Sequence, residues 1–130
     1  MPGSKPAAVP IGREVIDSAA LEAIRSLQSD AAPRLLAQVV QMYLDSTPAL
    51  IEQLQIGMDG SDYETVRTAA HSLKSSSANL GAKTLADLCR RVEMAARAGS
   101  MGPEVPGMHM IEQEFSAVRR ALEVELETMA

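Results

Sequence analysis

The stretch whose reading decides the fold is Ala70-His71-Ser72-Leu73-Lys74-Ser75-Ser76-Ser77-Ala78-Asn79-Leu80-Gly81-Ala82. Wound as a helix at about 100° per residue, it aligns Val66, Ala69, Ala70, Leu73, Ser77 and Leu80 in one stripe. His71 then points roughly 150° from the centre of that stripe, so an imidazole faces water from the middle of a helix. Arg67 at i−4, Lys74 at i+3, Ser75 at i+4 and Ala78 at i+7 share its face. Cations therefore stand beside the ring, small side chains occupy the next turn, and no large residue of this helix overhangs it.

A neutral imidazole, with an ordinary pKa of about 6.5, is a good nitrogen nucleophile at neutral pH without help from a base. A phosphoryl group carried on it would bring nearly two negative charges, which Lys74 and Arg67 are placed to offset. On its own helix, Glu64 is the nearest acid on this face. The low surface at Ser75 and Ala78 leaves room for another protein to bring a reactive group against the ring.

The boundaries of the helices follow from caps and breakers. Asp17 is expected to cap a short first helix carrying Leu21, Ile24 and Leu27, which stops before Ser29-Asp30. Asp30 is expected to cap a long second helix with Pro33 in its first turn. Leu35, Leu36, Val39, Met42, Tyr43, Leu50 and Leu54 form its apolar stripe, and Gly57 and Gly60 close it. Pro48 near its centre predicts a kink rather than an end, because the apolar period resumes afterwards. Ser61-Asp62-Tyr63-Glu64 reads as a capping box opening the helix of His71, with Ser61 as the cap. Asn79 and Gly81 end that helix. The fourth carries Leu85, Leu88, Cys89, Val92 and Ala96 and ends at Gly99. After the linker to Gly107, Met108, Ile111, Phe115, Val118, Leu122 and Leu126 mark the last. Single stripes and short connections predict an all-α fold: an up-down antiparallel four-helix bundle with a short additional N-terminal helix.

Residues 1–14 read as a disordered leader or linker and residues 15–130 as one helical domain. The 130 residues carry a net charge of −5 and only three aromatics, two Tyr and one Phe, which argues against nucleic acid as a partner. One Cys cannot form an internal disulfide, and one Cys with two His is too few for a structural zinc site, so no metal is expected. No apolar stretch reaches the roughly 18 residues of a membrane span, so no direct membrane contact is expected. No Gly-rich phosphate loop and no carboxylate cluster for magnesium is present, which sets aside a self-contained kinase. His109 lacks any partner motif and reads as an ordinary helix residue. Cys89 reads as a core filler, and Arg90, Arg91 and Glu93 read as solvated surface charges.

From about Val15 to Leu126 the chain closely resembles the histidine-containing phosphotransfer (HPt) domain of bacterial multistep phosphorelays. The resemblance rests on the His71 to Ala82 motif and its Ala69-Ala70 approach. It extends to Met42-Tyr43-Leu44-Asp45-Ser46-Thr47-Pro48, to Leu85, Leu88-Cys89 and Val92-Glu93 on the following helix, and to the amphipathic last helix. Ser75 stands where the family often has Gly. The resemblance implies that His71 accepts a phosphoryl group from a receiver-domain aspartate and passes it to another receiver, with Lys74 stabilising the group. It implies docking over Arg67, Ser75 and Ala78, with the first helix adding to that surface. Response-regulator receiver domains and a hybrid histidine kinase are the implied partners. The implied cofactor of the chain itself is none, with magnesium on the receiver. A free-standing cytoplasmic protein and a C-terminal piece of a hybrid kinase suit the sequence equally, and a monomer is expected because no apolar stripe is left over. The rival reading is a non-catalytic helical docking module, a degenerate HPt domain that binds a receiver without accepting phosphate.

Overall fold

The computed structural model describes residues 14–129. The leader expected over residues 1–14 lies outside these, apart from Glu14. Among these residues there are five helices: α1 (Ser18–Arg25), α2 (Leu35–Asp59), α3 (Tyr63–Asn79), α4 (Lys83–Ala98) and α5 (Met108–Met129). Helices α2 to α5 pack in a ring, α2 against α3, α3 against α4, α4 against α5 and α5 back against α2. Short turns make α2, α3 and α4 successive antiparallel neighbours, as the apolar stripes required. Among the described residues there is no strand, only an isolated bridge between Ser29 and Ala32.

The core is continuous and aliphatic, from Leu36, Val40 and Leu54 on α2 through Val66, Ala70 and Leu73 on α3 to Leu85, Cys89 and Val92 on α4. Ile111, Phe115, Val118 and Leu122 close it from α5. The stripes read for α3 and α4 are buried without exception. That of α2 is rotated from expectation. Its buried residues are Leu36, Val40, Tyr43, Thr47, Ile51, Leu54 and Gly57, while Leu35, Val39 and Leu50 lie at the margins. Met42, placed in the stripe by the sequence, is 69% exposed. Once Tyr43 occupies the core, the residue before it must point about 100° away. Leu27, placed on the α1 stripe, lies beyond the end of that helix and is also exposed.

The expected caps hold at α1 and fail at the next two helices. Asp17 caps α1, accepting from the Ala19 N–H at 3.0 Å. Helix α2 begins later than expected: Arg34 precedes it without a side-chain bond, and Gln28 Oε1 accepts from the Leu36 N–H at 3.0 Å instead of Asp30 acting as cap. At α3 the cap is Asp62, whose Oδ1 accepts from the Thr65 N–H at 3.2 Å and whose Oδ2 accepts from its hydroxyl at 2.7 Å. A carboxylate is the better acceptor here, so Ser61 is displaced into the turn with φ at +52°, and Glu64 pairs with Arg67 instead of reaching back.

Helix α1 lies against the α3–α4 turn. The Asp17 N–H donates to the Gly81 carbonyl at 2.9 Å, and Lys83 Nζ reaches the Asp17 carboxylate at 2.7 Å. Gly81 has φ at +80°, and a Cβ there would sit 2.6 Å from the Asp17 carbonyl oxygen, so the contact depends on glycine. The anchor lies ten residues beyond His71, about 15 Å along the α3 axis.

Candidate functional site

Alanines at 69 and 70 and Leu73 bury one side of α3, which fixes its rotation and turns His71 outward. The His71 side chain is 52% exposed. Its ring is not surrounded by solvent alone. Nδ1 lies 2.9 Å from Oε2 of Glu93 on α4, and Lys74 Nζ lies 2.7 Å from Oε1 of the same carboxylate. An Arg97 guanidinium nitrogen, one turn further along α4, donates to Oε2 at 2.9 Å.

The reading of Glu93 as a solvated charge is therefore wrong. The residue is 3% exposed and lies at the centre of the cluster. Burial raises the pKa of its carboxyl, but hydrogen bonds from Lys74, Arg97 and His71, with the Lys74 charge, outweigh burial and bring it to about 2. Being ionised, the carboxylate can only accept, so the His71 Nδ1–H donates to it. The neutral ring then carries its lone pair on Nε2, on a half-exposed side chain. A signal for Glu93 was present in the α4 stripe: it lies four residues after Cys89 and three before Ala96, both core positions. Its polarity outweighed its position when α4 was considered alone.

Sequence reading also passed over Arg97, whose link to His71 passes through Glu93. Lys74 and the ring share the Glu93 carboxylate, one on each oxygen. Arg67 is on the same face, with its guanidinium engaged by Glu64. Glu64 raises the Arg67 pKa through that hydrogen bond and its charge. Ser75 and Ala78 are exposed on the turns beyond His71, leaving the approach low. One step round α3, Ser76, Asn79 and Leu80 line a groove with Val39, Met42 and Tyr43 of α2, and the outward-facing methionine is part of its wall.

Behind this face, the Tyr43 hydroxyl and Ser77 Oγ lie 2.8 Å apart within the core. Burial pushes the Tyr43 phenol up to about 12, despite the opposing hydrogen bond with Ser77. Cys89 is buried as expected, and burial likewise raises its thiol to about 12, well outside the range of a reactive thiolate. His109 is exposed and belongs to no cluster of the site. Among the described residues no group of three or more His, Cys, Asp or Glu side chains could hold a metal ion. No helix among them is long and apolar enough to cross a membrane.

Fold and site together define a class: a four-helix bundle that presents one half-exposed imidazole, hydrogen-bonded at Nδ1, from the middle of a helix. Comparison with known proteins makes the class specific. The Hpt domain family model matches residues 38–121, and the chain belongs to that family. Histidine-containing phosphotransfer protein B from Pseudomonas aeruginosa PAO1 superposes with a TM-score of 0.76 at 25% identity, over 88% of this chain and 96% of that one. Histidine-containing phosphotransfer protein 5 from Arabidopsis thaliana is 32% identical over 69 residues, 51% of this chain and 44% of that protein. Histidine-containing phosphotransfer protein 2 from the same plant is 24% identical over 103 residues, 77% of this chain and 66% of the relative. The chain thus spans about half to two thirds of the length of these plant relatives.

Proposed function

We propose that this chain is a phosphorelay intermediate: His71 takes a phosphoryl group from the aspartyl phosphate of one receiver domain and gives it to the aspartate of another. The observation that carries this reading is the hydrogen bond from His71 Nδ1 to the nearly buried Glu93 carboxylate. It fixes the ring and leaves the Nε2 lone pair as the nucleophile. Lys74 stands beside the ring as the cation for the incoming phosphoryl oxygens.

In the transfer the Nε2 lone pair attacks phosphorus in line with the P–O bond to the donor aspartate. The N–P bond forms as that bond breaks, the electron pair leaves on the aspartate carboxylate, and the Nδ1 proton remains in its hydrogen bond. The reverse sequence loads the second receiver. Magnesium and the acidic pocket would belong to the receivers, and a hybrid histidine kinase would supply phosphate upstream, with the whole exchange in the cytoplasm. The chain would have no ATP-dependent kinase activity, and one copy suffices because every residue of the cluster comes from a single chain. Receivers would dock over Arg67, Ser75 and Ala78, with the adjoining Met42 groove as apolar contact.

The test is incubation with a phosphorylated receiver domain, followed by mass spectrometry of the labelled chain. Acid-labile, base-stable phosphate on His71 is expected, and His71→Gln should remove it while leaving the helical circular dichroism unchanged. Label that persists in His71→Gln would overturn the assignment. Binding of several receivers with no label on the wild-type chain would establish the docking-only alternative, and Ser75→Gly would then test whether the serine blocks close approach.

A further inference from the structure

Glu93 is held by more positive charge than one carboxylate needs. Lys74 Nζ occupies Oε1 at 2.7 Å, while the His71 Nδ1–H and Arg97 both bond Oε2 at 2.9 Å. The residue that should stabilise the phosphoryl group is therefore already committed. For the Lys74 ammonium to reach phosphoryl oxygens it must give up Oε1. Removing the sole cation from a nearly buried carboxylate would be costly. Here it is not the sole cation, because Arg97 stays on the other oxygen.

We infer that Arg97 is a positioning residue that neutralises Glu93 in place of Lys74, releasing the Lys74 ammonium to the phosphoryl group on His71. Arg97 is suited to this by its place in the fold. It lies one turn from Glu93 on the same helix, so the pair holds whatever happens on α3. Its side chain is 57% exposed and bonds the same carboxylate oxygen as the His71 ring, so it can hold Glu93 without entering the core. The chemistry supports the exchange from the other side as well. When Nε2 gains the phosphoryl group and Nδ1 keeps its proton, the ring becomes cationic, and Glu93 exchanges the Lys74 contact for a stronger one to the ring. Lys74 thus moves from an anion that has gained a partner to one that has just arrived. The inference rests on His71 being the phosphoacceptor.

The test uses phosphoramidate as a small-molecule donor, whose P–N bond breaks with loss of ammonia as the bond to His71 Nε2 forms. Label on His71 is followed in time by mass spectrometry for the wild type, Arg97→Met, Arg97→Lys, Glu93→Gln and the Glu93→Gln/Arg97→Met double variant. Arg97→Met should slow labelling about tenfold, and Arg97→Lys should keep most of the rate. In the Glu93→Gln background there is no carboxylate to neutralise, so loss of Arg97 should change the rate by less than about twofold, a clear departure from additivity. A rate for Arg97→Met equal to wild type, or the same loss in both backgrounds, overturns the inference while leaving His71 as acceptor. Should phosphoramidate leave wild-type His71 unlabelled, the same series is run with a phosphorylated receiver as donor; no label from that donor overturns the parent reading and this one with it. Arg97→Gln replaces Arg97→Met should the latter not fold.

Discussion

Glu93 combines two properties that normally exclude one another, near-complete burial and full charge, because three cationic or polar donors converge on it. The cost appears in acid. Its folded pKa is about 2 against an ordinary 4.5, so the folded state binds the proton less readily than the unfolded chain. The stabilisation is complete above about pH 5 and is lost as the pH falls from about 4.5 toward 2. Urea midpoints measured from pH 6 to pH 2.5 should fall more steeply for the wild type than for Glu93→Gln, whose side chain does not titrate. Parallel curves would mean that Glu93 is not the group responsible. At the same scale, Lys74→Ala should slow phosphoryl acceptance about tenfold without abolishing it, since the nucleophile is intact and only charge stabilisation is lost. Single-turnover labelling at saturating phosphorylated receiver reads this directly, and an unchanged rate would remove Lys74 from the step.

Between elements, two contacts set where the site sits. The hydrogen bond between Tyr43 and Ser77 ties α2 to α3 on the buried side of the helix that carries His71. Ser77→Ala removes the Ser77 hydroxyl from the phenol inside the core, and the expected loss is about 1 to 2 kcal/mol in urea unfolding. Ser77→Ala combined with Tyr43→Phe should recover part of it, because neither polar group is then stranded. The second contact is α1 against the α3–α4 turn. Gly81→Ala would force a side chain onto a left-handed φ of +80° and into the Asp17 carbonyl oxygen. It should cost about 2 kcal/mol or more and free α1 first. Faster hydrogen exchange in Ser18–Arg25 than in α2 to α5 would show this, and uniform exchange would place the damage elsewhere.

Across the whole molecule, the order of helices, the antiparallel ring and the outward direction of His71 were legible in the sequence. Each depends on a periodicity that one helix carries within itself: the α3 and α4 stripes came out buried at every residue named. The rotation of α2 was less legible, because apolar side chains lie on adjacent faces and only the fit of Tyr43 against Phe115 and Ser77 selects among them. The caps of α2 and α3 depended on which of several neighbouring acceptors reached the free N–H groups, a contest decided by loop geometry. The sequence by itself determined a bundle of amphipathic helices with a nucleophile on a low, solvent-facing surface, because helical period and side-chain size act locally. Only the tertiary structure decided the electrostatics of that nucleophile. Glu93 and Arg97 are more than twenty residues from His71 along the chain, and it is the α3–α4 packing that brings a carboxylate against the ring and removes it from water.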